Sequence, residues 1–461
     1  MKIPVPDLIS YFRFPKMRIH SILLCVLAFA FCTIQGFGQE EGWVSPDGPA
    51  VVMNQDPTGY VQQVSVLIQT EVDEEDEGEL VAPQSDIDTE KSSDSDVVVN
   101  TEKAKNEKPT EKPVEKPKRT LSPELVKLRE QITEILATNA KKRPLELQKD
   151  SPASVIAYCF AYGADTQVIQ VLQTQQQPGR QPQVASRTPV FAIGALCWNY
   201  PSGGKTLLRA DGKNIIAKVG PGLQRKPGAL LAMLAMSSVA ESYEVRVGDV
   251  IGSIADLIQA EKAACSADAD MSLALIGLSF YCDVEEEWTN EFGEKWSIPK
   301  MVDAELLHPA DQGTSNITDQ LLGLACAVRR FESEGIELTG PMLVAKNWLE
   351  RGTNNDPSFE KFALSVQNEQ GLWHPRFFLF KGSTTNPWDS LYSSGHIFRF
   401  LAFSLSEEKL TDPLVVRSAK ALADLISNPK VANTPATTER QVEALATALH
   451  ALAIYNERLG D

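Results

Sequence analysis

From residue 121 onward, apolar residues recur at short, regular intervals. Ile317, Leu321, Leu324, Val328 and Phe331 make one stripe, and Val442, Leu445, Leu449, Leu452 and Tyr455 another. Steps of three and four residues put such side chains on one face of an α-helix. Comparable segments lie near 122–138, 227–239, 253–265, 271–282, 341–351, 395–406 and 413–427. Helix starts are marked too. Ser122-Pro123, Ser151-Pro152 and Asp412-Pro413 each read as a capping residue followed by Pro at the first helical position. Thr438-x-x-Gln441 fits a capping box. The pattern predicts an all-α domain of about ten to twelve helices with little strand.

Four of these segments resemble one another. Ser272–Cys282, Gln320–Arg330, Gly395–Leu405 and Glu443–Ala453 are rich in small and apolar residues, and their starts are 48, 75 and 48 residues apart. A period in the high forties fits one helical hairpin per repeat. More polar helices alternate with these. A closed ring of hairpins has that arithmetic: inner helices bury nearly every face, outer helices only one. An open solenoid competes with the ring, but it needs polar capping repeats at both ends. The last segment here is among the most apolar.

The first 120 residues have a different character. Lys2, Arg13, Lys16 and Arg18 precede an apolar run from Ile22 to Ile34. As a helix that run reaches only about 20 Å, short of a hydrocarbon core of about 30 Å. A signal peptide over 1–38, cleaved near Gly38–Gln39, is expected; an uncleaved anchor over residues 19–37 is the alternative. The protein is therefore expected to be exported, periplasmic or extracellular, with membrane contact only through that segment. Residues 39–120 read as a disordered spacer, acidic over Glu71–Glu79 and then built of repeated Glu-Lys-Pro over 107–118. Such a composition buries too little apolar surface to offset its ordering entropy. Residues 121–461 form the helical domain.

Net charge of −17 and a pI near 4.9 argue against a nucleic-acid partner, because phosphate binding needs a clustered basic face. Five cysteines lie downstream of the leader: Cys159, Cys197, Cys265, Cys282 and Cys326. None has the C-x-x-C spacing of a zinc or redox motif.

Phe362-Ala363-x-x-x-Gln367-x-x-x-Gly371-x-Trp373 resembles the repeat motif of the squalene cyclase and prenyltransferase α/α toroids. The wider stretch 150–430 resembles an uncharacterised family of exported planctomycete proteins. The matching segments include Ala161-Tyr162-Gly163, Leu196-Cys197-Trp198-Asn199, Arg246-Val247-Gly248-Asp249, Leu275-Ile276-Gly277-Leu278 and Gly395-His396-Ile397. The resemblance implies an α/α toroid. It also implies that the positions of Ala157 and Asp319, often His in such relatives, line the ring.

Several chemistries lack their residues. The nearest string to a cyclase acid, Asp268-Ala269-Asp270-Met271, misses its last Asp and sits where a helix starts, so capping explains it. Asp283–Glu287 reads as a solvated acidic loop. Cys282, Asp283 and His396 are the residue types of a prenyltransferase zinc site without its spacing. Pro201–Thr206 lacks the first Gly of a phosphate loop and reads as a turn. No metal and no cofactor are expected.

What remains is a set of side chains suited to cavity binding: Trp373, His374, Asp389 and His396, with Trp198 and Asn199 in a second aromatic loop. Aromatic platforms beside Asp, Asn and His suit a cell-envelope or carbohydrate ligand as well as they suit packing. Asp389 is the nearest acidic partner for His396 along the chain. The expected function is a non-catalytic binding or scaffold module; a cavity-based enzyme, polysaccharide-active or terpenoid cyclase-like, is the alternative. The enzyme needs at least two carboxylates within reach of a substrate.

Overall fold

The computed structural model describes residues 120–173, 184–308, 311–352, 357–382 and 384–460. The leader expected over 1–38 and all but Thr120 of the spacer lie outside the described residues. The chain begins with α1 (Pro123–Lys142) and α2 (Pro152–Tyr162), a hairpin of β1 (Gln167–Gln173) and β2 (Val184–Phe191), and the short α3 (Ala192–Cys197). Next come β3 (Leu208–Asp211), β4 (Asn214–Ala217), α4 (Ala229–Met236), β5 (Glu244–Val247), β6 (Val250–Ser253), α5 (Ile254–Ala263) and α6 (Ser272–Tyr281). Then follow β7 (Trp288–Thr289), β8 (Lys295–Trp296), α7 (Ile298–Leu307), α8 (Ser315–Ser333), α9 (Gly340–Lys346) and α10 (Phe359–Ser365). The last elements are α11 (Pro387–Ser404), α12 (Pro413–Ser427), α13 (Pro429–Ala432) and α14 (Glu439–Gly460).

The fold is helix-dominated, as the periodicity predicts, and the strands form only four separate two-stranded antiparallel ladders among the described residues. The caps read from sequence are present. Ser122, Ser151 and Asp412 side chains accept the amides of Leu125, Ser154 and Leu414. Thr438 and Gln441 bond each other's backbone reciprocally. Two differences matter. Fourteen helices are described rather than ten to twelve, because short segments such as α3, α10 and α13 are too brief to show a period. And α11 starts at Pro387, capped by Asn386, eight residues before the predicted start. Gly395 and His396 therefore lie mid-helix, and Trp388 and Asp389 occupy its first turn.

Six helices pack side by side in the order α2, α4, α6, α8, α11 and α14, and α14 packs in turn against α2, so the series of contacts closes. Most residues of each of these helices are buried. Every residue of α4 is buried, and so is α11 from Ser390 to its end. Helices with half or fewer of their residues buried lie outside: α5 contacts α4 and α6, α7 contacts α6 and α8, and α12 contacts α11 and α14. α1 packs on both α12 and α14, bringing the first described helix to the last. Small residues make the inner seams possible. A Cβ at Gly323 of α8 would lie 2.4 Å from the Ser272 carbonyl of α6, and one at Gly395 of α11 would lie 2.9 Å from the Ala448 amide of α14.

The Gln-Gly-Trp motif ties α10, α12 and α11 together. Gln367 donates to the Leu414 carbonyl and Ser418 hydroxyl and accepts from Arg417. Trp373 is 1% exposed and gives its indole N–H to the Ala363 carbonyl.

Candidate functional site

The residues nominated from sequence separate in the fold. Trp373 is a core residue; its amide donates to Ser394 of α11 and its carbonyl accepts from Ser393. His374 uses Nδ1 to accept the Arg376 amide. Trp198 is 39% exposed at the end of α3, with the Arg246 guanidinium 5.5 Å above its ring. Asn199, at φ +54°, exchanges two hydrogen bonds with the backbone of Leu208. Asn199 fixes a turn against the β3–β4 hairpin, and Trp198 lies beside Arg246 of β5.

His396 is brought to the Trp373 loop, where Phe377 packs against its ring at 6.1 Å. Its polar partners, however, are not Asp389. Asp389 accepts from Asn386 and meets Arg440, as a helix-start carboxylate does. His396 Nδ1 lies 3.5 Å from the Thr318 hydroxyl, and Nε2 lies 3.5 Å from the Glu443 carboxylate.

Those two contacts open onto a larger polar cluster inside the helix series. Every inner helix after α2 contributes to it, all but α11 near its start. Arg225, just before α4, pairs with Glu443 of α14 at 2.6 Å and reaches Ser315 of α8 and Tyr392 of α11. Lys226 pairs with Asp270, just before α6, at 3.0 Å and with Asp319 of α8 at 3.2 Å. Arg399 of α11 gives 2.8 Å to the other oxygen of Asp319. Asp270 also accepts the Ser272 amide and hydroxyl, the capping role expected of it.

The cluster's charges set one another. Burial opposes ionisation of Asp319, yet Lys226 and Arg399 hold its pKa down at about 2. Burial works against the Glu443 carboxylate too, and His396 and Arg225 outweigh it to keep the pKa below the usual range. Burial lowers His396 despite Glu443, so the ring is neutral near pH 7.

Deeper along α14 lies His450, 3% exposed. Its ring stands 5.7 Å from that of Phe160 in α2, and the Arg399 guanidinium stands 6.0 Å from the same Phe160 ring. Burial, and after it Arg399, pushes the His450 pKa down to about 3. Among the described residues nothing bonds its Nδ1, nor the Nε of Arg399.

Of these residues, sequence reasoning reached His396 directly and Asp319 only through the family resemblance. Arg225, Lys226, Arg399, Glu443 and His450 were not nominated. A usable signal existed for three: Arg399, Glu443 and His450 interrupt segments with little exposed face, where a charge or an imidazole has to point inward.

No three His, Cys, Asp or Glu converge as a metal ligand set among the described residues. The five downstream cysteines are buried free thiols. Compared with known proteins, the chain matches no family model, no curated protein and no solved structure.

Proposed function

We propose that residues 121–461 form an α/α toroid acting as a non-catalytic binding or scaffold module. We further propose that a cleaved leader exports it and that the acidic spacer holds it away from the cell envelope. The closing contacts between α14 and α2 support the toroid reading. The observation that carries the functional reading is the state of the three carboxylates in this polar cluster. Asp319 is clamped by Lys226 and Arg399, Glu443 by Arg225, and Asp270 by Lys226. A general acid or base must exchange a proton near working pH. A carboxylate held near pKa 2 between two cations instead stays ionised throughout.

Cell-envelope polysaccharides and isoprenoid diphosphates are the ligand classes that separate this reading from a toroid enzyme. The purified protein, incubated with each, is expected to retain at least one in equilibrium dialysis and to return it chemically unchanged by mass spectrometry. Conversion of a retained compound, lost in Asp319→Asn, contradicts the reading and favours catalysis.

A further inference from the structure

Four large apolar side chains lie together on the outside of the molecule, around α3 and the β5–β6 hairpin. Phe191 and Trp198 flank α3, one at each end. Between them Gly194 leaves room for Tyr243: a Cβ there would lie 3.5 Å from the phenol oxygen. The Arg246 guanidinium stands over the Trp198 indole, and Ile251 is the residue directly opposite Arg246 across the hairpin. Opposed residues project to the same side of a ladder. Val245, on the other side, is fully buried, so Arg246 and Ile251 face outward. Phe191, Trp198, Tyr243 and Ile251 are 37% to 60% exposed, and the packing of α3 on β5 joins them into one patch. Contiguous apolar surface with a polar rim marks an interaction site. Trp, Tyr, Phe and Arg are also the types enriched where proteins meet.

The rim is acidic. Asp165 lies in the turn packed against α3, Glu241 two residues before Tyr243, and Asp249 in the hairpin turn, all exposed. Arg246 is the cation of the patch, and Glu244 already pairs with it at 3.2 Å. Among the described residues no cation pairs with the other three carboxylates. The chain as a whole carries −17, which repels a second copy and an anionic lipid surface alike.

We propose that this patch docks a basic polypeptide. The partner's apolar side chains settle among Phe191, Trp198 and Ile251, and its lysines or arginines meet Asp165, Glu241 and Asp249. The apolar centre supplies affinity, while the rim speeds approach and selects the partner's charge. The proposal names the partner class of the binding or scaffold module and rests on that reading.

Fluorescence anisotropy of the full chain with three labelled peptides tests it: an amphipathic Lys/Leu peptide, a Glu/Leu twin and a Lys/Ser twin. The Lys/Leu peptide binds, less tightly as salt rises, and both twins bind at least about tenfold more weakly. The Lys/Ser twin measures what net charge alone attracts. Equal binding by either twin, or no binding of the Lys/Leu peptide, overturns the proposal. Trp198→Ala and Ile251→Ser each weaken the Lys/Leu peptide by about tenfold or more. Phe292→Ser, exposed on the β7–β8 turn, does not. Undiminished binding in both patch variants, or an equal loss in Phe292→Ser, overturns the assignment. Should Trp198→Ala lower the melting temperature, Ile251→Ser decides alone. Glu241→Gln with Asp249→Asn flattens the salt dependence; an unchanged dependence overturns the role of the rim. Binding to phosphatidylglycerol vesicles, or self-association in sedimentation, that is lost in Trp198→Ala names another occupant and overturns the proposal. Peptide binding alongside conversion of a retained compound by the interior contradicts the non-catalytic reading alone. Absence of peptide binding does the reverse.

Discussion

Asp319 lies between two buried cations, and for Arg399 it is the carboxylate partner. Removing its charge leaves Lys226 and Arg399 buried and facing each other, the most damaging way to break a buried ion pair. Asp319→Asn is expected to cost roughly 3 kcal/mol at neutral pH, read from urea midpoints. The pH dependence has a definite sign. The folded-state pKa is depressed from 3.8 to about 2, so the charge stabilises the fold above pH 3.8. That contribution is lost as pH falls through about 2. The gap between natural protein and variant should therefore be constant above pH 5 and narrow between pH 4 and pH 2. A gap that stays constant across that window would mean that Asp319 is not held by its neighbours as described. None of this was evident from a lone Asp in an apolar stripe. The charge reads as one residue among many until α4, α8 and α11 are brought together.

At the scale of elements, sequence and structure agree best where physics is local. Caps need only the few residues around a helix start, and Ser122, Ser151, Asp412 and Thr438 are all placed correctly. Long stripes also translate directly: the segments at 317–331 and 442–455 became α8 and α14. The start of α11 was missed because Ser393, Ser394 and Asp389 are polar, although two of the three are buried in the helix. The β3–β4 and β5–β6 hairpins were missed because strands of four residues carry almost no periodicity. Yet Gly212-Lys213 and Gly248-Asp249 are two-residue turns with Gly at φ +61° and +59°, a readable hairpin signal. The seams between inner helices are just as specific. A side chain at Gly323 meets the Ser272 backbone oxygen rather than a movable side chain. Gly323→Val should thus push α8 from α6 and cost about 1–3 kcal/mol in chemical denaturation. A neutral result would show that this seam is looser than described.

The whole molecule turns on whether the six inner helices return to their beginning. Closure brings Arg225, Asp319 and Glu443 from near three helix starts, and His396 from the middle of α11, to one place, and the paired carboxylates depend on it. It is also the level at which sequence alone says least. Alternating apolar and polar helices fit both a ring and an open array, and only the contacts of α14 with α2 and of α1 with α12 and α14 separate them. Spin labels at Glu130→Cys on α1 and Lys420→Cys on α12, both exposed, report that difference. Cys25 and Cys32 are replaced by Ser, and the five downstream thiols are buried. In a ring the two labels sit on neighbouring helices whose axes lie about 10 Å apart, and a single short distance is expected from pulsed electron resonance. An open array of stacked hairpins puts them on the order of 50 Å apart at about 10 Å per step, and that distance would contradict the account.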